Sequence, residues 1–163
     1  MMKTKPTLVV FAALGIGLAP CAQARDTDHP VQYLHLQNNG SYTISDIELK
    51  WITPEGEKKS NTFTNDLQKS RGFCLDLKKF GDVDEGSEVW LKAYIALGDK
   101  ESCRKDNPRI YDASLGGNIA DKTQLYKMGG TTLNNNSCKL SSGLESNLED
   151  TNDTGNSTDC PTG

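Results

Sequence analysis

Short stretches in which apolar and polar residues alternate run through the chain from Val31 onwards. A period of two places every second side chain on one face of an extended strand. The clearest stretch covers residues 88–97, where apolar residues occupy the odd positions and Trp90, Lys92 and Tyr94 the even ones. No stretch keeps apolar residues at the i, i+3, i+4 spacing of a helix, so the sequence predicts strands and little helix.

The remaining strands are predicted at 31–37, 42–51, 62–64, 73–77, 109–112, 123–128 and 131–133, with turn residues such as Asn39-Gly40 and Gly129-Gly130 between them. In the second of these segments the apolar positions change parity between Ile44 and Ile47, which predicts a β-bulge near Ser45. Seven or eight short strands separated by turns are typical of a small antiparallel β-sandwich. The predicted fold class is therefore all-β, immunoglobulin-like or similar.

The first 24 residues have the features of a secretory signal peptide. Lys3 and Lys5 precede an apolar run over 8–18, and Ala22 and Ala24 provide the small residues of a cleavage site. The run is too short to span a bilayer as a helix, which takes about 20 residues. A lipoprotein signal would use Cys21, but Pro20 stands where a small residue is needed. We expect cleavage after Ala24 and a secreted or periplasmic protein.

The C-terminal segment, residues 141–163, is rich in Ser, Thr, Asn and Gly. It carries five acidic residues, no Lys or Arg and no aromatic residue. Such a composition buries too little apolar surface to offset the entropy of ordering, which predicts a disordered acidic tail. The predicted organisation is a removed signal peptide (1–24), one β-sandwich domain (25–140) and this tail (141–163).

Cleavage after Ala24 leaves four cysteines: Cys74, Cys103, Cys138 and Cys160. An even number in an exported chain indicates two disulfides, for which three pairings are possible. The polar surroundings of Cys103 and Cys138 favour a bond between them, which pairs Cys74 with Cys160. Their spacing has no Cys-x-x-Cys element and does not fit a zinc site.

The opening strand, the Asn38-Asn39-Gly40 turn and a long strand carrying Trp51 resemble immunoglobulin-like secreted modules over about a quarter of the chain. An immunoglobulin domain places its core tryptophan between two bridged cysteines. Here Trp51 precedes all four of the cysteines that remain after cleavage. The resemblance therefore implies an architecture and no family.

A formal net charge of −4 argues against a nucleic-acid-binding protein, which usually carries a basic surface. His29 and His35 are the only histidines, and no nucleophile, metalloprotease or phosphate-binding motif is present. The sequence predicts an exported non-catalytic protein that binds a carbohydrate, an envelope component or a protein partner. Two alternatives remain: a small secreted hydrolase using a carboxylate pair, and a secreted toxin or pore-forming protein.

Trp90 and Tyr94 are the candidate binding residues, because two aromatic side chains on one strand face can hold a sugar ring or a partner protein. Asp82, Asp84 and Glu85 are the candidate metal ligands. No cofactor is predicted. Calcium is the one ion to weigh, because residues 150–155 begin like a calcium-binding loop, but Pro161 stands where that loop needs a bidentate Glu.

Overall fold

The computed structural model describes residues 29–141, which form ten strands and two four-residue helices. The strands are β1 (His29–Val31), β2 (Tyr33–Asn38), β3 (Ile44–Ile52), β4 (Lys58–Leu67), β5 (Gly72–Asp76), β6 (Glu88–Ile95), β7 (Lys100–Ser102), β8 (Arg109–Tyr111), β9 (Thr123–Gly129) and β10 (Ser137–Ser141). The helices are α1 (Leu77–Phe80) and α2 (Ile119–Lys122). The strand-rich, helix-poor composition follows the period-two pattern of the sequence.

The strands form two sheets. Sheet one has the order β1-β8-β6-β3-β4, with β7 also pairing with β6, and sheet two has the order β10-β9-β2-β5. Most pairs are antiparallel, whereas β1 with β8 and β2 with β9 are parallel, so both sheets are mixed. The predicted all-β sandwich is confirmed, with parallel pairs added to the expected antiparallel ones.

The core lies between the sheets and takes alternate residues from each central strand. Leu34 and Leu36 of β2 belong to the same buried cluster as Ile47 and Leu49 of β3 and Leu91 of β6. Three phenylalanines extend it toward α1, with ring centroids of Phe63 5.4 Å from Phe73 and 5.8 Å from Phe80. Alternation on both sheets gives a single apolar layer between them.

The β-bulge is present where the parity changes. The pairing of β3 with both of its neighbours shifts register between Ile44 and Asp46, so Ile44 and Ile47 can both face the core. Several details differ from the sequence expectation, among them an unpredicted strand β7 and a β4 that spans Lys58–Leu67 rather than 62–64. The chain crosses from sheet one to sheet two at Gln32, β6 ends at Ile95 rather than at Leu97, and the last strand is β10 rather than 131–133.

The predicted signal peptide with its cleavage site, and residues 142–163 of the predicted tail, lie outside the described residues. Cys160 and the calcium-like segment at 150–155 lie outside them too. Within the described range, no helix combines the length and apolar character needed to cross a bilayer.

Candidate binding surfaces

The outer face of sheet one carries the aromatic residues predicted to bind. Val89, Leu91 and Ala93 point into the core, so Trp90, Lys92 and Tyr94 point outward. Trp90 is nevertheless only 7% exposed, and the Arg104 guanidinium lies 4.7 Å from the centre of its ring.

Glu88 holds this arginine in place, accepting hydrogen bonds of 2.7 and 2.8 Å from Nε and Nη2 of Arg104. The bidentate pair and the cation–π contact fix the guanidinium over the indole. A ligand would reach the face of Trp90 only after Arg104 moved aside.

Tyr94 is half-buried and is tied to its own sheet. Its hydroxyl donates a 2.8 Å hydrogen bond to Oε2 of Glu48, and the ammonium group of Lys92 lies 5.1 Å from the centre of its ring. Desolvation opposes the ionised form of Glu48, but hydrogen bonds from Tyr94, Ser60 and Lys50 lower the pKa of this carboxyl. Trp90 and Tyr94 therefore share a face, but each is already engaged by charged neighbours.

A cavity of about 330 Å³ lies beside Trp90 and Arg104, at the end of this face near β4. Lys50 and Ser60 line it together with Lys58 and Lys59. Three of its four basic side chains are paired with acids outside the cavity: Lys50 with Glu48, Lys59 with Glu57 and Asp84, and Arg104 with Glu88. These ion pairs reduce the attraction that the cavity offers to an anion.

The candidate metal ligands Asp82, Asp84 and Glu85 lie in the exposed loop before β6. Asp84 is 4.0 Å from the ammonium group of Lys59. Across residues 29–141, no three His, Cys, Asp or Glu side chains are grouped closely enough to hold a metal ion.

The two histidines lie apart, since His29 belongs to β1 of sheet one and His35 to β2 of sheet two. Burial lowers the pKa of His35 to about 4. Its Nδ1 atom has no hydrogen-bond partner among the described residues. His35 is therefore a buried, neutral side chain that packs against its neighbours in sheet two.

A disulfide joins Cys103 and Cys138, as the sequence predicts, and links the end of β7 in sheet one to β10 in sheet two. Cys74 also takes part in a disulfide. Cys160, its predicted partner, lies outside the described residues, so that pairing stays a prediction.

Two leucines at one end of the sandwich are the most exposed large apolar residues of the described chain. Leu97 is 98% exposed and Leu133 is 77% exposed. This end is formed by the loops 39–43, 68–71, 96–99 and 130–136, which we call the loop end. A Cβ atom built on Gly98 would lie 2.5 Å from the carbonyl oxygen of Thr132, so the loops carrying the two leucines touch.

The sequence expectation for Leu97 is wrong. The alternating pattern assigns it to the buried face of β6, but the strand stops at Ile95, whose carbonyl accepts a 2.9 Å hydrogen bond from the amide of Gly98. This turn gives Leu97 a positive φ of 59° and points it away from the core. In the sequence, Gly98-Asp99 indicates the turn that exposes Leu97. The only sequence feature that indicates an exposed Leu133 is its position between two threonines and three asparagines.

The loop end also collects backbone conformations that are uncommon for residues with a side chain. Ser70, Leu97 and Asn135 are the non-glycine residues with positive φ in the described chain, and all three lie in these loops. Such a conformation costs a leucine or a serine about 1–2 kcal/mol, less for an asparagine, and strained backbone of this kind concentrates at functional sites. The exposed leucines and the strained backbone thus occur at the same place.

Comparison of the sequence with known protein families and with curated proteins finds no match. Solved structures of low similarity include the membrane-binding domain of pneumolysin, 16% identical with a TM-score of 0.33, covering 69% of this chain and 96% of that domain. The human-specific toxin intermedilysin is 12% identical with a TM-score of 0.34, covering 69% of this chain and 23% of the toxin.

A non-hemolytic pneumolysin from Streptococcus pneumoniae is 13% identical with a TM-score of 0.35, covering 69% of this chain and 24% of that protein. The chain spans about a quarter of the length of the full-length toxins it matches. Similarity at this level concerns β-rich architecture and leaves function to the residues themselves.

Proposed function

We propose that this protein is an exported, non-catalytic β-sandwich that binds the surface of a lipid bilayer through its loop end. Of the ligands predicted from the sequence, a lipid bilayer belongs to the envelope components. The observation that carries the proposal is the exposure of Leu97 and Leu133, by 98% and 77%, on two loops that touch each other.

The size and shape of the patch favour lipid over a protein partner. A stable protein interface covers about 800 Å² on each side, usually around a packed centre. Two leucines at loop tips offer far less area and no surrounding groove. In a bilayer each leucine needs only to reach the acyl boundary, where burial contributes about 1.5–3 kcal/mol per side chain at most.

The flanking residues fit the same orientation. Lys69 and Arg71 are exposed on the neighbouring β4–β5 loop, where basic residues add about 1 kcal/mol each near an anionic membrane. Thr131, Thr132 and the asparagines that follow Leu133 provide polar groups suited to the headgroup layer. Asp99 in the loop after β6, and Glu101, whose charge acts on Tyr42 of the loop end, oppose this attraction, so we expect binding to be weak and reversible.

The conformation of Leu97 supports a functional reason for its presence. A left-handed conformation costs a leucine roughly 1–2 kcal/mol, and glycine or asparagine would fit the turn better. Leu97 is strained and fully exposed, so no packing within the domain offsets the cost of its conformation. Burial of its side chain in an external apolar phase would offset that cost.

Flotation of the purified mature protein with vesicles tests the proposal. Phosphatidylcholine vesicles, with and without phosphatidylglycerol, carry neither carbohydrate nor protein, so flotation isolates lipid binding. We expect the protein to float with the anionic vesicles and the variant Leu97→Ala/Leu133→Ala to lose roughly tenfold or more of that binding. Leu140→Ala is the matched control, because Leu140 is 37% exposed but lies toward the opposite end of β10.

Equal binding by the double variant and the wild type would overturn the proposal, as would a failure of both to float. Release of a trapped dye from the same vesicles addresses the toxin alternative separately. Flotation without dye release identifies a surface-binding protein, whereas release that the two leucine substitutions abolish identifies a protein that permeabilises the membrane.

A further inference from the structure

Basic side chains gather around Trp90, although the chain as a whole has a formal net charge of −4. The cavity of about 330 Å³ on the outer face of sheet one adjoins a second, smaller depression, since Trp90 and Arg104 line both. We call the lining of the two together the Trp90 patch. Its basic residues are Lys50, Lys58, Lys59, Arg104, Lys105 and Arg109.

Three of these basic residues keep a charge that no acid of the described chain offsets. Among residues 29–141, none of Lys58, Lys105 and Arg109 forms an ion pair. Lys58 and Lys105 are exposed, whereas Arg109 is only 9% exposed. Its guanidinium donates hydrogen bonds to the neutral oxygens of Asn107 and Gln124. A buried cation with only neutral partners favours an anion beside it.

Acidic groups within the patch restrict the kind of anion that fits. Glu88 lines the smaller depression, and Glu48 lies 3.3 Å from the ammonium group of Lys50. These carboxylates would repel the phosphate groups of a nucleic acid, which offer them no hydrogen-bond donor. The hydroxyl groups of a sugar can donate to a carboxylate, so a ligand with both hydroxyl and acid groups matches the patch better.

The larger cavity also has the size and the mixed lining that suit a sugar ring. Its volume of about 330 Å³ lies at the lower end of the range for small-molecule sites, about 300–1,000 Å³. Ile52 contributes an apolar side chain and Ser60 a hydroxyl group to the lining. A ring in this cavity can contact Trp90 where the tryptophan lines it, while Arg104 stays over the indole.

We propose that the Trp90 patch binds an acidic oligosaccharide whose sugar rings carry carboxylate groups. One ring occupies the larger cavity with its carboxylate at Lys58, and the carboxylate of the next ring lies at Lys105 and Arg109. Asp106, the exposed acid that follows Lys105, weakens the attraction at that position.

Binding at the Trp90 patch is separate from bilayer binding at the loop end. Lys50 and Ile44 are six residues apart on β3, which corresponds to roughly 20 Å, and Ile44 is the residue next to the loop end. The protein can therefore hold an acidic sugar chain while its loop end rests on a membrane.

Calorimetric titration of the mature protein with trigalacturonate gives the first test, with the methyl ester of the same trisaccharide as the uncharged probe. We expect trigalacturonate to bind at least about tenfold more tightly than the ester, because the lysines and Arg109 contact only the charged form. In NMR spectra, the indole N–H signal of Trp90 should shift and that of the core residue Trp51 should not. Equal binding of the ester, no binding of either sugar, or tighter binding of a short single-stranded DNA would overturn the proposal.

Substitution of the unpaired lysines gives the second test. Lys58→Ala/Lys105→Ala should weaken trigalacturonate binding roughly tenfold. Lys100→Ala/Lys139→Ala removes the same charge from exposed positions outside the patch and should bind like the wild type. Equal losses in the two variants would show that the sugar responds only to net charge and would overturn the assigned site.

Vesicle flotation of Lys58→Ala/Lys105→Ala separates this proposal from the bilayer proposal. Flotation should match that of the wild type, since both lysines lie far from the loop end. Lost flotation together with lost sugar binding would overturn the separation of the two surfaces.

Discussion

His35 occupies a site that disfavours a charged imidazole. It points out of the core, yet it is buried, and that burial lowers its pKa to about 4. The side chains that share its face are Tyr33 on its own strand, Cys74 and Asp76 on β5, and Leu125 and Lys127 on β9. Desolvation is the cause that dominates, so the folded protein resists protonation at this position.

The consequence is a loss of stability in mild acid. The unfolded chain takes up a proton at His35 near pH 6.5, whereas the folded chain does so only near pH 4. Stability is therefore complete above pH 6.5, falls as the pH drops toward 4, and levels off below it. At pH 4.5 the loss from this residue is about 2–3 kcal/mol.

His35→Gln should remove this contribution. Urea denaturation at pH 7 and pH 4.5 should give a difference between the two unfolding free energies that is about 2 kcal/mol smaller in the variant than in the wild type. Acidic groups contribute equally to both proteins and cancel in the comparison. His29→Gln, at an exposed site in β1, should keep the wild-type difference, and the same difference in His35→Gln would refute the assignment.

At the scale of elements, alternation was enough to predict which segments become the central strands. β2, β3, β6 and β9 all coincide with predicted strands, and the change of parity between Ile44 and Ile47 located the bulge. These signals work because each central strand has one face packed on the core. No strand was predicted at the position of β10, because only Cys138 and Leu140 are apolar in this segment.

The site was less predictable than the strands for a physical reason. Trp90 and Tyr94 were placed on the correct face, but the coverage of Trp90 by Arg104 depends on a residue 14 positions away that the sequence does not connect to it. The exposure of Leu97 depends on the turn that ends β6 at Ile95. Neither tertiary contact leaves a periodic pattern in the sequence.

The β9–β10 loop, which carries Leu133, depends on Gly130. This glycine has a φ of +109°, and a Cβ at that position would overlap the carbonyl group of Asn135 across the loop. Gly56 also has a positive φ, +91°, but a Cβ there would meet no atom within 4 Å. An alanine at either position would therefore have an unfavourable backbone conformation, but only an alanine at position 130 would also clash with another part of the chain.

Gly56→Ala should lower the free energy of unfolding by about 1 kcal/mol, and Gly130→Ala by a further 1–3 kcal/mol or so. Urea denaturation of the two variants measures the difference. Gly130→Ala should also weaken vesicle flotation, since relief of the overlap displaces the loop of Leu133. Equal losses in the two variants would mean that the loop adjusts without strain.

At the scale of the whole molecule, the Cys103–Cys138 bond connects the two sheets. Cys103 follows β7 of sheet one, and Cys138 lies in β10 at the edge of sheet two. A sandwich of this size has a single apolar layer, and small exported domains commonly add disulfides to such a core. The bond thus ties the chain after β7 of sheet one to an edge strand of sheet two.

Removal of this bond should lower the free energy of unfolding by about 4 kcal/mol, the value that loop-closure entropy gives for a separation of 35 residues. Cys103→Ala, Cys138→Ala and the double variant should lose nearly the same amount, because each breaks the same bond once. Urea denaturation of the three proteins provides the measurement. Losses that add in the double variant would instead assign the stabilisation to the packing of two separate buried side chains, since independent sites contribute additively.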